Sequence, residues 1–196
     1  MKKIGLIGGM SWESTKVYYE LINKMIIEKL GKFHSAKCVI DSVDFEEIVH
    51  LQHKNDWSSL HKIMVESAQN LERAKAKAIL ICTNTMHLSC DEIRENTSIP
   101  IIHIAEATGK KIQKNNITKV LLLGTKFTME KDFYKSILKN KFNIEVYIPN
   151  EEDIMLVHNI IYNELVKGIF KKESKEVYKN IIKKASIKGI EGIILG

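Results

Sequence analysis

Short apolar runs alternate along the chain with longer segments in which apolar residues recur three and four positions apart. Short runs that are apolar almost throughout are typical of strands buried in a parallel sheet, whereas the longer spacing is typical of helices. The predicted strands are 3–9, 36–43, 77–82, 99–104, 119–124, 144–148 and 190–195. The predicted helices are 15–30, 45–53, 57–73, 105–114, 129–139, 154–167 and 174–186, with Asp44 and Asp56 as N-caps. The alternation predicts an α/β fold whose mostly parallel sheets are flanked by helices.

An internal repeat divides the chain into two similar parts. The segment KIGLIGGMSWESTKVYYELI, which begins at Lys3, parallels KVLLLGTKFTMEKDFYKSIL, which begins at Lys119. The strand KAILIC, which ends at Cys82, parallels GIILG at the end of the sequence. We therefore predict two pseudo-symmetric α/β halves, 1–100 and 101–196, with a cleft between them. By the same match, the counterpart of Cys82 is expected at position 197.

Composition and charge exclude several classes of protein. The 196 residues are 44% hydrophobic and 28% charged, which is a globular balance and not that of a disordered chain, a collagen or a coiled coil. The net charge of +6 arises from a lysine-rich segment, 167–188, whose apolar residues recur at helical spacing. The lysines are therefore expected on the solvated face of a helix, and no nucleic-acid partner is predicted.

The length of the apolar runs and the number of cysteines indicate the cellular location. No apolar run approaches the ~18 residues that a membrane span needs, so no membrane partner is predicted. Three cysteines without paired spacing fit a reducing compartment. We therefore expect a cytoplasmic protein.

The motif ICTNTMH carries the strongest chemical signal in the sequence. Cys82 ends a predicted buried strand, where α/β sheets place reactive groups. Thr83, Asn84 and Thr85 follow it, and their side chains and backbone N–H groups can bind a carboxylate. A helix that begins after them would lower the pKa of the thiol. The alternative is a small cysteine buried in the core, and the neighbouring polar triplet argues against it.

Other motifs do not support a cofactor or a metal. The glycines of GLIGG have the spacing G-x-x-G-G, which differs from the G-x-G-x-x-G of dinucleotide-binding proteins. His50 and His53 lie one helical turn apart, but no further ligand accompanies them. Cys38 and Cys90 are predicted to be packing residues. Neither a nucleotide cofactor nor a metal is predicted.

Four segments together resemble the aspartate/glutamate racemase family: GLIGGMSWEST, HSAKCVIDSVDFEEI, CTNTMH and LLGTKFTMEKDFY. The resemblance is strongest to bacterial members that accept both aspartate and glutamate. It implies a homodimeric racemase that needs no pyridoxal phosphate or other cofactor, acts on an acidic amino acid and has its active site in the cleft between two α/β domains. Family members use two cysteines, one from each half. One thiolate removes the α-proton, and the opposite thiol returns a proton to the other face.

The resemblance assigns roles in the first half to the motif described above. Cys82 matches the first-half catalytic cysteine. Thr83, Asn84 and Thr85 match the residues that hold the α-carboxylate and the amino group of the substrate. The resemblance therefore implies that the motif holds the reacting carbon.

Further substrate contacts are implied elsewhere in the chain. Met10 and Gln52 match substrate-contacting positions, and Thr125 lies in the equivalent loop of the second half. Lys167 is expected to match a lysine that some aspartate-specific members use for the side-chain carboxylate. The arginine that accompanies it in those members has no counterpart between residues 45 and 56, which argues against strict aspartate specificity.

The family continues its last strand as Gly-Cys-Thr-Glu, and this sequence stops at Gly196. The second thiol is therefore expected just past Gly196, and the sequence is expected to be a truncated form. Two alternatives remain. The chain is a decarboxylase or maleate isomerase of the same superfamily, or it is a catalytically inactive amino-acid-binding protein. The residue at position 197 and exchange of the α-proton in D2O distinguish these possibilities.

Overall fold

Two three-stranded parallel sheets organise the chain. The computed structural model describes residues 1–196 and divides them into two compact units, Met1–His103 and Ile104–Gly196. In each unit the first strand lies at the centre of the sheet, between the second and the third. The predicted α/β fold with parallel sheets and flanking helices is confirmed.

The first unit is built from three strands and four α-helices. Its strands are β1 (Ile4–Gly8), β2 (Cys38–Ser42) and β3 (Ile79–Ile81). Its helices are α1 (Trp12–Leu30), α2 (Phe45–His53), α3 (Trp57–Arg73) and α4 (Cys90–Asn96), and a short 3-10 helix, Thr85–Ser89, precedes α4. The side chains of Asp44 and Asp56 accept hydrogen bonds from backbone N–H groups, so both predicted N-caps are confirmed.

Helix α3 shows why the hydrophobic pattern predicts this unit well. Leu60, Met64, Ala68 and Leu71 recur at helical spacing and are all fully buried. They pack in one hydrophobic cluster with Ile81, at the end of β3. The core of the unit therefore lies directly beneath the end of the strand that carries the candidate motif.

The second unit repeats the same order of strands. Its strands are β4 (Lys119–Leu123), β5 (Glu145–Tyr147) and β6 (Gly192–Leu195). Its helices are α5 (Ile104–Gln113), α6 (Lys126–Glu130), α7 (Asp132–Phe142), α8 (Glu151–Asn163) and α9 (Lys172–Ser186), with a 3-10 helix at Leu165–Lys167. None of the helices in the structure combines the length and the apolar character needed to cross a membrane.

Two predicted elements differ from the structure. Residues 99–104 form no strand: only Ile101 pairs, with Ile79, and Ile104 already begins α5. Pro100 lacks a backbone N–H and cannot extend a ladder, which limits the pairing to this single bridge. The predicted helix 129–139 is two helices, because the backbone at Lys131 is extended (φ −70°, ψ 154°) and separates α6 from α7.

Helix α1 is less buried than its pattern predicts. Only Thr15 is fully buried, and Val17, Leu21 and Met25 are exposed along one side of the helix. The matching helix of the second unit, α7, buries Tyr134 and packs against α5. No helix of the first unit packs on α1 as α5 packs on α7.

Candidate active site

Cys82 is the first residue after β3, at the carboxyl end of the first sheet. Its backbone N–H donates to the carbonyl of Ile7 over 2.9 Å, which continues the pairing of β3 with the central strand. Its carbonyl accepts a hydrogen bond of 2.7 Å from the hydroxyl of Ser14, in the first turn of α1. Both backbone polar groups are thus bonded, and the residue is fixed to two neighbouring elements.

The thiol of Cys82 is fully buried. Burial disfavours the charged thiolate and raises the pKa of Cys82 to about 12. The expectation that a following helix lowers this pKa is therefore wrong. The helix that begins at Thr85 is a 3-10 helix of only five residues, and desolvation dominates. The thiol is therefore protonated at neutral pH, and a positive charge close to it would lower its pKa.

The polar triplet after Cys82 contains a buried acceptor. Thr85 is buried, and Thr83 and Asn84 are half-buried. The side-chain oxygen Oδ1 of Asn84 is buried and has no hydrogen-bond partner. A buried acceptor without a partner costs about 1–3 kcal/mol, so this oxygen favours a ligand that brings an N–H group.

His87, the last residue of the motif, hydrogen-bonds back to the triplet. Its Nδ1 lies 2.8 Å from the carbonyl oxygen of Thr83 and 3.2 Å from that of Asn84. Since both partners are carbonyl oxygens, Nδ1 carries the proton. Burial is the main cause that lowers the pKa of His87 to about 3, and the nearby His103 adds to it. The sequence-based site did not include His87, although its four-residue separation from Thr83 is a usable signal.

Gln52 and Met10, both predicted to contact substrate, lie against the same motif. Gln52 is buried on α2, and its Nε2 donates to the sulfur of Met86 over 3.5 Å. Met10 is buried in the loop between β1 and α1 and packs in one hydrophobic cluster with Met86. The structure therefore brings both residues together with the chain that follows Cys82.

A glycine shapes the loop that leads to Met10. Gly9 has φ +92°, and a Cβ atom there would lie 2.1 Å from the carbonyl oxygen of Val43. Only glycine tolerates both the positive φ and this close approach. The loop can thus pass directly over the end of β2 before α1 begins.

The two remaining predicted residues belong to the second unit. Thr125 is the N-cap of α6, where its hydroxyl accepts a hydrogen bond from the backbone N–H of Thr128 over 3.2 Å. The next N–H, that of Lys126, donates to Nδ1 of His158 over 3.2 Å. Lys167 is exposed at the end of the 3-10 helix after α8. His158 contacts the predicted loop, but no sequence motif indicates it.

The sheet register identifies the counterpart of Cys82 in the second unit. Ile7 pairs with Ile81 in the first sheet, and Leu123 pairs with Leu195 in the second. The N–H of Gly196 donates to the carbonyl of Leu123, as that of Cys82 donates to Ile7. Gly196 therefore occupies the place of Cys82 in the register. The sequence match points to position 197 and the sheet register to Gly196, so the two matches differ by one residue.

The His, Cys, Asp and Glu side chains of the structure form no group of three that could hold a metal ion. The three cysteines are free thiols. The chemistry that this arrangement offers is that of a buried thiol beside hydrogen-bonding groups.

A family model describes most of the chain. The model for Asp/Glu/hydantoin racemases matches residues 7–196. The chain belongs to the Asp/Glu/hydantoin racemase family. The predicted family is therefore confirmed, and membership in it indicates an isomerase.

Known proteins and structures agree with this family. A crystal structure of a candidate Asp/Glu racemase from Yersinia pestis is 46% identical, with a TM-score of 0.90 over 100% of this chain and 85% of that one. An aspartate racemase homologue from Pyrococcus horikoshii is 39% identical, with a TM-score of 0.82 over the same shares of the two chains. The broad-specificity amino-acid racemase RacX of Bacillus subtilis is 26% identical over 144 residues, 69% of this chain. That match covers 60% of the Bacillus protein, less than two thirds of its length.

Proposed function

We propose that the protein racemises acidic amino acids, aspartate and glutamate, without pyridoxal phosphate or any other cofactor. Cys82 is one of the two groups that move the α-proton. The observation that carries this proposal is the buried thiol at the end of β3, followed by a polar triplet whose Asn84 Oδ1 lacks a partner. A thiol next to an unpartnered acceptor suits a substrate that has both an α-proton and an ammonium group.

Substrate binding follows from the groups around the motif. The α-carboxylate accepts hydrogen bonds from the hydroxyl and backbone N–H groups of the triplet, and the ammonium group donates to Asn84 Oδ1. In the proposal, Gln52 and Met10, which both lie against Met86, also contact the substrate. In the proposal, Thr125 and Lys167 of the second unit contact the rest of the substrate, with Lys167 near the side-chain carboxylate.

The raised pKa of Cys82 gives the substrate a second role. A positive charge near a thiol stabilises its thiolate and lowers its pKa. The bound ammonium group supplies this charge, so Cys82 loses its proton to solvent as the substrate binds and is then present as the thiolate. The thiolate takes the α-proton and becomes a thiol, which leaves a carbanion on the α-carbon.

Racemisation also needs a second group on the opposite face of the α-carbon, because a single group can exchange the proton on one face only. In the proposal this group is a second thiol just past Gly196, at the carboxyl end of β6. It gives its proton to the carbanion and becomes a thiolate. The assembly proposed is a homodimer. The second thiol and the homodimer both rest on the family resemblance.

The unpartnered oxygen also separates this reaction from its nearest alternative. Maleate and other dicarboxylic acids that lack an amino group leave Asn84 Oδ1 without a donor. An unpartnered buried acceptor costs about 1–3 kcal/mol, a penalty that an amino acid avoids. An amino acid is therefore favoured over a maleate-isomerase type of substrate.

Proton NMR in D2O tests the proposal. Each enantiomer of aspartate and glutamate is incubated separately with the protein, and the α-proton signal and the enantiomer ratio are followed. We expect loss of the α-proton signal together with formation of the opposite enantiomer for at least one amino acid. Binding of these amino acids without any exchange would instead show an amino-acid-binding protein.

A further inference from the structure

His87 follows the triplet in the sequence, and its ring packs against the backbone of the triplet. Its Nδ1–H points at the carbonyl oxygens of Thr83 (2.8 Å) and Asn84 (3.2 Å). The carbonyl of Asn84 also accepts the backbone N–H of His87 over 3.0 Å. One residue thus holds two successive carbonyl groups on the same side of the chain.

The geometry of the peptide bond extends this observation to the opposite side. In a trans peptide, the C=O of one residue and the N–H of the next point in opposite directions. Because the carbonyls of Thr83 and Asn84 face His87, the N–H groups of Asn84 and Thr85 face away from it. Two neighbouring donors are therefore directed to one side, where together they can bind one carboxylate.

The imidazole is a fixed donor and not a proton carrier. It is buried, with 2% of its surface exposed, and its ring centroid lies 4.6 Å from that of His103. With a pKa lowered to about 3 by burial, it stays neutral at any pH at which the protein is expected to work. The proton on Nδ1 is therefore always present for Thr83 and Asn84.

We propose that His87 is a positioning residue for the substrate carboxylate: through its hydrogen bonds to the carbonyls of Thr83 and Asn84, it directs the N–H groups of Asn84 and Thr85 at the ligand. This role rests on the proposed function, and it belongs to a residue to which the family resemblance assigns none. His87 touches no reacting atom. Its contribution is to the affinity of the carboxylate and not to the transfer of the proton.

Two substitutions separate positioning from simple packing. His87→Leu replaces the imidazole with an apolar side chain of similar length, which removes the hydrogen-bond donor. His87→Asn loses ring volume but places an amide N–H close to the position of Nδ1. If His87 only fills space, leucine is the better replacement. If it positions the peptides, asparagine is.

A histidine at the other end of the same 3-10 helix offers a matched control. Nδ1 of His61, on α3, lies 2.9 Å from the hydroxyl of Ser89, the last residue of that helix. His61→Leu also removes a hydrogen bond to the helix, but it leaves the peptides of Thr83 and Asn84 untouched. We expect this variant to bind substrate as the wild type does.

Binding is measured in the Cys82→Ser background by NMR titration with L-aspartate and L-glutamate, so that turnover does not interfere. We expect His87→Leu to raise Kd by about 10- to 100-fold, because N–H groups that are no longer held in place lose the equivalent of one hydrogen bond to the charged carboxylate. His87→Asn should restore Kd to within about threefold. In the active protein, His87→Leu should raise KM by the same factor and leave kcat within about threefold.

The outcomes separate this proposal from the proposed function. Equal Kd values for wild type and a folded His87→Leu variant would overturn the positioning role, as would equal losses in the leucine and asparagine variants. A wild type that binds these amino acids but exchanges no α-proton refutes racemisation and still allows the Kd series to decide the role of His87. Folding of each variant is checked by its thermal transition.

Discussion

The hydroxyl of Ser14 donates to the backbone carbonyl of Cys82 over 2.7 Å. This bond joins the first turn of α1 to the residue that carries the buried thiol. The two residues are 68 positions apart in the sequence, so only the fold brings them together. The position of the thiol therefore depends on α1 as well as on its own strand.

Removal of this bond should affect activity more than stability. Ser14→Ala deletes a hydroxyl that is shared between the carbonyls of Cys82 and Ser11, and a hydrogen bond of this kind is worth about 1 kcal/mol of the free energy of unfolding. Because the carbonyl of Cys82 then loses a partner that fixes it, we expect kcat to fall by about tenfold, a typical result of small displacements of a reacting group. Chemical denaturation and steady-state kinetics measure the two effects. Ser58→Ala, an exposed serine on α3, is the control, and an equal loss of kcat in both variants would contradict the interpretation.

The raised pKa of Cys82 predicts slow alkylation in the absence of substrate. Only the thiolate reacts, and with a pKa of about 12 its fraction at pH 7.5 is minute. The rate should rise about tenfold for each pH unit up to the range of that pKa. Iodoacetamide labelling followed by mass spectrometry measures the rate at each thiol. Cys38 is only half-buried and should be labelled before Cys82 at neutral pH.

Cys90 is buried like Cys82 and serves as the internal control for access. A Cys82 that reacts rapidly at pH 7 while Cys90 stays unlabelled would show that the thiol is already ionised. In that case the substrate ammonium would not be needed to generate the base.

The buried imidazole of His87 predicts a loss of stability in acid. Its pKa is about 3 in the folded protein because of burial, compared with 6.5 for an ordinary histidine. Between these pH values the unfolded chain binds a proton at His87 that the folded chain does not bind. The contribution of the neutral His87 to the free energy of unfolding is therefore complete above pH 6.5 and is lost as the pH falls. The slope of the free energy of unfolding approaches about 1.4 kcal/mol per pH unit from this group.

Denaturant titrations at several pH values between 4 and 7 measure this slope. His87→Asn removes the titrating group, so the slope of the free energy of unfolding against pH should be smaller in this variant by up to about 1.4 kcal/mol per pH unit. Ser58→Ala, which changes an exposed residue without a titrating group, should leave the slope unchanged. Parallel curves for wild type and His87→Asn would show that the imidazole is not held neutral.

The fold could be predicted where the sequence itself specifies burial. Leu60 and Met64 lie one helical turn apart, and the same spacing continues through α3, so the buried face is visible without a structure. The pattern of α1 is equally helical, but Leu21 remains exposed. Periodicity shows which residues can be buried, whereas the element that covers them is a matter of tertiary structure.

The candidate site divides in a similar way. Cys82 at a strand end and its polar neighbours follow from local sequence, because a short apolar run and a polar triplet are both readable there. The pKa of the thiol cannot be predicted from the local sequence, since desolvation depends on everything packed around the thiol. The role of His87 lies between these cases: its carbonyl partners are three and four residues away, but its tautomer depends on the turn that the chain adopts.

The most direct test of the central claim compares α-proton exchange in D2O by the wild type and by Cys82→Ser, with Cys90→Ser as the control for loss of a buried thiol. The acid/base group is worth about 10²–10⁴ in rate. We predict that racemisation of aspartate or glutamate falls at least by this factor in Cys82→Ser and stays close to the wild-type rate in Cys90→Ser. Racemisation by Cys82→Ser at the wild-type rate would contradict the assignment of Cys82 as the group that moves the proton.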